Sequence, residues 1–171
     1  MQAPSYKVAR FINKQLHALL QLPNTYTSYN SIQVIQNLTK LHINKTTKLM
    51  TLDIKDLYVN ILVNEVLHIT KTLSNYNNIN NELSQEMNSL LEAVLNLNYL
   101  QHLNKFYKPN KRIAMGSPIS GAIANIFIQY YENLILKHTL ETKAIIYYNR
   151  YVDDILIIFN STIISEEQIT R

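Results

Sequence analysis

The tetrapeptide Tyr151-Val152-Asp153-Asp154 constrains this chain most, because it sets two adjacent carboxylates between two apolar runs. The runs, residues 144–148 and 155–159, are short and rich in β-branched and aromatic residues. That composition predicts two buried strands. The acidic pair is therefore expected at the tip of a β-hairpin.

Two ionised carboxylates side by side repel each other, and a bound divalent cation removes that repulsion by supplying a large local charge. Hard cations prefer oxygen ligands, which Asp153 and Asp154 would supply. The pattern therefore favours a metal site at the hairpin tip. An ordinary polar turn is the alternative, since Asp is common in turns.

Aspartate is rare in this chain, whereas asparagine is abundant. The four aspartates fall in two short clusters, Asp53 with Asp56 and Asp153 with Asp154. Asp53 ends an apolar segment, 49–52, which could form a strand beside the hairpin in one antiparallel sheet. Three carboxylates from two neighbouring strands could hold two divalent cations roughly 3.5–4 Å apart, an arrangement suited to in-line displacement at phosphorus.

Composition narrows the class of protein. With 171 residues, 47% hydrophobic and 16% charged, the chain can form one globular domain with a core. Cysteine is absent, which excludes a disulfide scaffold and a thiolate zinc site. No apolar run is long enough to span a bilayer, so no membrane partner is expected.

Positive charge is unevenly distributed along the chain. The net charge is +4, and residues 1–52 contain no Asp or Glu. A second basic group consists of Lys105, Lys108, Lys111 and Arg112. Such groups suit a polyanion backbone, although a solvated basic surface explains the charge equally well.

Apolar periodicity predicts a set of helices and further strands. The helices are expected at 5–20, 31–42, 64–73, 82–100 and 119–140, with a strand at 48–54 and a hairpin at 103–115 around a Lys-Pro-Asn-Lys turn. Val8 and Phe11 belong to the apolar face of the first helix and Leu83 and Leu90 to that of 82–100, and Ile32, Ile35 and Leu38 are expected to face inward. Ser117 is the expected N-cap of the last helix and Pro118 its first residue. The fold class is therefore α+β, a small antiparallel sheet packed against several helices.

Three segments in order resemble the motifs of reverse transcriptases. Residues 53–58 (DIKDLY) resemble motif A, residues 114–120 (AMGSPIS) motif B, and residues 150–154 (RYVDD) motif C. Shorter stretches at 3–7, 105–107 and 124–127 are similar to Penelope-like retroelements. The resemblance implies a right-hand polymerase palm and an RNA-directed DNA polymerase that adds deoxynucleotides to a primer 3′-hydroxyl.

The resemblance also implies cofactors and partners. Two Mg²⁺ ions are expected, with Mn²⁺ as an alternative, together with an RNA template, a DNA primer and dNTPs. Asp53 and Asp153 would bind both ions, Asp154 would assist, and the carbonyl of Ile54 would complete a metal site. Nucleic-acid contacts are expected from Lys105, Lys108, Lys111, Arg112 and Tyr151.

The resemblance assigns four residues to the incoming nucleotide. Tyr58 would be a steric gate, because a bulky ring clashes with a ribose 2′-hydroxyl; a core aromatic residue is the alternative. Gly116 would let the backbone approach the nascent base pair. Ser117 would cap the helix or contact the nucleotide. Asp56 would place its backbone toward the triphosphate, or pair its carboxylate with a lysine.

By the same resemblance the chain is a partial reverse transcriptase domain. Its parts are fingers and palm-associated helices (1–47), motif A (48–62), a helical insertion (63–103), the motif B hairpin and helix (104–140) and the motif C hairpin (144–160). The thumb and the N-terminal fingers strands are expected to be absent, so the chain is expected to be neither processive nor active alone. A nucleic-acid-binding remnant without catalysis is the alternative, and an RNA-templated RNA polymerase is disfavoured by Tyr58. The sequence leaves the compartment undetermined; an intracellular one, such as the nucleus, would suit a retroelement.

Overall fold

A computed structural model describes residues 4–21, 25–28, 30–97, 99–108, 112–113, 116–142 and 144–170. The elements of these residues are α1 (Pro4–Leu19), α2 (Ser31–Leu38), β1 (Thr47–Asp53), α3 (Leu57–Asn60), α4 (Val63–Tyr76), α5 (Asn81–Asn96), β2 (Leu100–His102), β3 (Lys105–Tyr107), α6 (Ser120–Glu141), β4 (Ile145–Tyr151), β5 (Asp154–Asn160) and α7 (Glu166–Ile169). They divide into two compact units. A helical unit comprises Met1–Pro23 and Asp56–Tyr130, and a sheet unit comprises Asn24–Lys55 and Tyr131–Arg171.

The sheet unit is built on three antiparallel strands in the order β1-β5-β4. Its apolar core consists of Leu136, Ile145, Ile157 and Phe159. The two runs that flank the acidic pair form β4 and β5, and the segment that ends at Asp53 forms β1. The predicted hairpin, the predicted third strand and the α+β class are therefore confirmed.

The helical unit contains α4 packed against α5, and α1 packed against α5. Its buried side chains follow the helical period, as predicted: Ile12, Leu16, Val66, Ile69, Leu73, Met87, Leu91, Val94 and Leu95. Asn80 caps α5, because its side chain accepts a hydrogen bond from the Glu82 N–H at 2.9 Å. An apolar stripe at helical spacing therefore identified the helices of this unit correctly.

Several inward faces were predicted too broadly. Val8 and Phe11 of α1 are exposed, Phe11 at 55%, as are Leu83 and Leu90 of α5. Helix α2 ends at Leu38 rather than at 42, leaves Ile32 and Ile35 exposed, and buries none of its residues. Periodicity shows that a helix has an apolar face, but it does not show how much of that face another element covers.

The turn and second strand of the predicted hairpin at 103–115 fall largely on residues that the structure does not describe. Strand β2 pairs with β3, His102 lies opposite Lys105, and the turn is Leu103–Asn104. Both turn residues have positive φ, 48° and 59°, as a type I′ turn requires. Leucine is an unusual residue there, so the turn signal was missed. The predicted turn residues 109–111, and residues 114 and 115, lie outside the described residues.

The helix of the motif B segment also begins later than predicted. Helix α6 starts at Ser120, so Ser117 is not its N-cap and Pro118 is not its first residue. The carbonyl of Ser117 instead accepts a hydrogen bond from the Ser120 N–H at 3.1 Å, which closes a turn before the helix. Within the described residues, no helix combines the length and apolarity needed to cross a bilayer.

Candidate active site

The acidic pair lies at a tight turn between β4 and β5. Tyr151 lies opposite Asp154, so Val152 and Asp153 are the two residues of the turn. Asp154 is the first residue of β5. Val152 has a φ of 56°, an unfavourable value for a β-branched residue.

Strand β1 brings the third carboxylate to this turn. Asp53 lies directly opposite Asp154, and the Ile54 N–H donates a hydrogen bond to the Asp153 carbonyl at 3.0 Å. Directly opposite residues of antiparallel strands have Cβ atoms about 4.5–5.5 Å apart on one face. Asp53 and Asp154 are exposed and Asp153 is half-buried. The sequence-based expectation that β1 would lie beside the hairpin with Asp53 at its end is therefore confirmed.

The donor atoms at this turn suit a divalent cation in chemistry. Three carboxylates and the Ile54 carbonyl offer only oxygen, which Mg²⁺ prefers. Within the described part of the chain, however, no three acidic, imidazole or thiolate side chains lie together as a metal ligand set. The register brings the backbones of the three acids to one turn. The metal ligands named from the sequence remain a prediction.

A buried ion pair lies next to the turn, and sequence analysis did not predict it. Arg150 of β4 is 1% exposed and Glu132 of α6 is 5% exposed. The Arg150 Nε and Nη2 atoms donate to the two Glu132 carboxylate oxygens at 2.7 and 3.3 Å. A lone acidic residue in the apolar stretch 119–140 was the available signal, because a buried Glu requires a partner.

Tyr148 extends this ion pair into a network. Its hydroxyl donates to Glu132 Oε1 at 2.8 Å, and its ring meets the Tyr26 ring edge to face at 5.7 Å between centroids. Burial, reinforced by the Glu132 charge, raises the pKa of Tyr148 well above its usual range. Tyr148 therefore stays a neutral hydrogen-bond donor at physiological pH.

Arg150 also joins the turn to a neighbouring segment. Its Nη1 donates to the Val152 carbonyl at 2.9 Å, and its Nη2 donates to Thr27 Oγ1 at 3.0 Å. Its backbone N–H donates to the Tyr26 carbonyl, and its carbonyl accepts from the Ser28 N–H. One buried residue, through its backbone and its side chain, thus contacts α6, segment 26–28 and the acidic turn.

The residues assigned to the nucleotide belong to the helical unit, whereas the three acids belong to the sheet unit. Asp56 is the N-cap of α3 in a left-handed conformation, φ 54° and ψ 36°, without a side-chain capping bond. Tyr58 is half-buried in α3, and Ser117 is half-buried before α6. Gly116 has a φ of 87°, which favours glycine, and a Cβ there would meet nothing within 4 Å. Their assigned roles stay predictions.

The residues assigned to nucleic acid are placed differently from one another. Lys105 and Lys108 are exposed at β3, and Lys108 Nζ lies 5.8 Å from the centre of the Tyr99 ring. Arg112 donates to the Val59 carbonyl and to Asn60 Oδ1, so its guanidinium serves the packing of α3. Tyr151 is exposed beside the acidic turn. Lys111 lies outside the described residues.

Known proteins share both the sequence pattern and the fold. The family model described as reverse transcriptase (RNA-dependent DNA polymerase) matches residues 5–170. The chain belongs to the reverse transcriptase family. The matched range contains all three motif segments, so this part of the sequence-based identification is confirmed. No curated protein matches the sequence.

A solved structure supports the reverse transcriptase fold independently. Telomerase from Candida tropicalis, in complex with the TWJ fragment of telomeric RNA, is similar with a TM-score of 0.69 and 14% sequence identity. The similarity covers 91% of this chain and 28% of the telomerase chain. At this identity the likeness concerns the fold alone. The chain spans less than a third of that protein's length.

Proposed function

We propose that this chain is the catalytic palm of a retroelement reverse transcriptase of the Penelope-like type. It would transfer deoxynucleotides from dNTPs to the 3′-hydroxyl of a DNA primer on an RNA template. The observation that carries the proposal is the register of β1 and β5, which sets Asp53 opposite Asp154 while Ile54 bonds to Asp153. The family match over residues 5–170 supports the reaction class.

The acids at the turn would hold two Mg²⁺ ions, with Mn²⁺ as an alternative. Asp53 and Asp153 would bind both ions, Asp154 would assist, and the Ile54 carbonyl would complete a site. When bound, the ions would activate the attacking hydroxyl and stabilise the charge of the transferring phosphoryl group. The exposure of Asp53 and Asp154 leaves both carboxylates accessible to a primer end and a triphosphate.

Substrate selection would rest on the helical unit. Tyr58 would exclude a ribose 2′-hydroxyl, and Asp56 and Ser117 would face the nucleotide. Gly116 supports close approach, because it is exposed and a side chain there would be strained. The exposed Lys105 and Lys108 offer positive charge to the template or primer phosphates. A Tyr58→Ala variant is then expected to accept ribonucleotides that the native chain rejects.

Single-nucleotide addition tests the proposal. The 171-residue chain, in excess over an RNA template annealed to a DNA primer, is incubated with Mg²⁺ and one dNTP. Asp153→Asn is expected to lower the rate by at least about 100-fold, because it removes a ligand charge from both ions. Glu166→Gln is the matched control, since Glu166 pairs with Lys48 on the surface. Equal rates for the native chain and Asp153→Asn would reject the acids as metal ligands.

A nucleic-acid-binding role without catalysis is the second candidate. It is supported by the exposed Lys105 and Lys108, which could contact a polyanion whether or not the acids bind metal ions. Under this alternative, binding to an RNA–DNA duplex would survive Asp153→Asn, and neither protein would extend the primer. Extension by the native chain would exclude it.

A further inference from the structure

The conformation of the acidic turn depends on the orientation of one peptide group. Two-residue hairpin turns of types I′ and II′ differ in the plane of their central peptide. Type I′ requires positive φ at both central residues, whereas type II′ requires it only at the first. Val152 has a φ of 56°, and Asp153 is not among the described residues with positive φ. The turn therefore has the sign pattern of type II′.

The observed turn is strained at its first residue. Both turn types place that residue at positive φ, which glycine adopts readily and the β-branched Val152 does not. Rotation of the Val152–Asp153 peptide toward the type I′ arrangement would take Asp153 to positive φ. That change would redirect the Asp153 side chain and loosen the turn, and the next carbonyl along the chain, that of Asp153, accepts from the Ile54 N–H.

The Arg150 side chain holds this peptide. Its Nη1 donates to the Val152 carbonyl at 2.9 Å, so the bond is made with the central peptide itself. The guanidinium is buried, and its Nε and Nη2 atoms are bound to the Glu132 carboxylate. Because a guanidinium is planar, two bonds to Glu132 fix the direction in which Nη1 points.

We propose that Arg150 is a positioning residue that locks the Val152–Asp153 peptide and thereby aims the Asp153 carboxylate. Glu132 acts through Arg150, because its carboxylate fixes the plane of the Arg150 guanidinium. Lysine cannot replace Arg150 in this role, because a single ammonium group cannot bond the Glu132 carboxylate and the Val152 carbonyl in one fixed plane. The effect on catalysis rests on the proposed function, whereas the effect on the turn does not.

Amide hydrogen exchange of Ile54 in the full chain reports on the turn directly. Arg150→Lys is expected to speed this exchange roughly tenfold, since the charged bond to the Val152 carbonyl is lost. Tyr148→Phe is the matched control, because it removes one bond to Glu132 without touching the turn. Its Ile54 exchange is expected to match that of the native chain. Equal acceleration in both variants, or in neither, would overturn the proposal.

Glycine at position 152 separates turn control from general stability. A type II′ turn favours glycine first, so Val152→Gly is expected to restore slow Ile54 exchange in the Arg150→Lys background. If Arg150→Lys does not fold, recovery of folding by Val152→Gly supports the proposal equally. Failure of the double variant to recover would show that Arg150 acts only through its ion pair.

The cation requirement links the turn to the proposed reaction. The Mg²⁺ concentration for half-maximal primer extension is expected to rise roughly tenfold in Arg150→Lys and to return in the double variant. Tyr148→Phe is expected to leave it unchanged. If the native chain alone does not extend a primer, Ile54 exchange still decides the role of Arg150.

Discussion

Two hairpins in the described part of the chain close with the same number of residues and are stabilised in opposite ways. The β2–β3 hairpin has strands of three residues, and Leu103 and Phe106 are 83% and 73% exposed. The β4–β5 hairpin has strands of seven residues, and it buries Ile157 in the core beside β1.

Their turns differ in the same sense. Leu103 and Val152 are both unfavourable at the positive φ that their turns require, whereas Asn104 tolerates it. Among these, Val152 is held by the buried Arg150, whereas Leu103 is exposed. Strained backbone persists only where surrounding contacts determine it, and such positions concentrate at functional sites. In this chain, the hairpin whose strained turn is held by buried contacts is the one that carries Asp153 and Asp154.

The largest expected effect comes from breaking the buried ion pair behind the acidic turn. Glu132→Ala is expected to lower the free energy of unfolding by about 3–5 kcal/mol, because it leaves the buried Arg150 charge without its carboxylate. Glu166→Ala is the control, since the Lys48–Glu166 pair is exposed and contributes about 0–1 kcal/mol. Urea unfolding measures both. Similar losses of unfolding free energy in the two variants would show that the buried ion pair contributes no more than the exposed one.

A second effect compares the apolar side chains of the two hairpins. Ile157→Ala is expected to lower the free energy of unfolding by about 2–5 kcal/mol, because Ile157 is fully packed. Phe106→Ala removes a larger but exposed side chain and is expected to change it by about 0.5 kcal/mol or less. Urea unfolding again decides. A larger loss for Phe106→Ala would mean that β2–β3 is packed in solution.

Alkaline pH tests the network around Glu132. Burial and the Glu132 charge raise the pKa of Tyr148 in the folded chain. Its stabilising contribution is therefore complete below the unfolded pKa near 10 and is lost as pH rises above it. The native free energy of unfolding should fall with pH more steeply than that of Tyr148→Phe, by about 1.4 kcal/mol per unit. Urea unfolding at pH 9, 10 and 11 measures this; parallel slopes would contradict it.

The smallest effect concerns the exposed turn. Leu103→Gly is expected to stabilise β2–β3 by about 0.5 kcal/mol, because relief of a left-handed leucine exceeds the added chain entropy of glycine. Asn104→Gly is expected to change little, since asparagine already tolerates that conformation. Amide exchange in β2 and β3 measures both. Destabilisation by Leu103→Gly would show that the Leu103 side chain contributes packing.

The sequence by itself determined the sheet and the position of its acids. Short β-branched runs on either side of Asp153 and Asp154 predicted β4 and β5, and the apolar segment before Asp53 predicted β1. These features were readable because strand propensity and alternation are local properties of the chain. The order of three short motifs was enough to indicate the reverse transcriptase family, which the match over residues 5–170 confirmed.

Only the tertiary structure decided which buried charged residues support the turn that carries those acids. The pairing of Arg150 with Glu132 joins residues from different elements, and no local pattern specifies which buried charge meets which. Tertiary contacts also decided that α2 leaves its apolar face exposed and that the chain turns at Leu103, and the apolar pattern predicted neither. Local sequence indicates which segments form strands and helices, whereas the contacts made after folding decide how those segments pair and how firmly each turn is held.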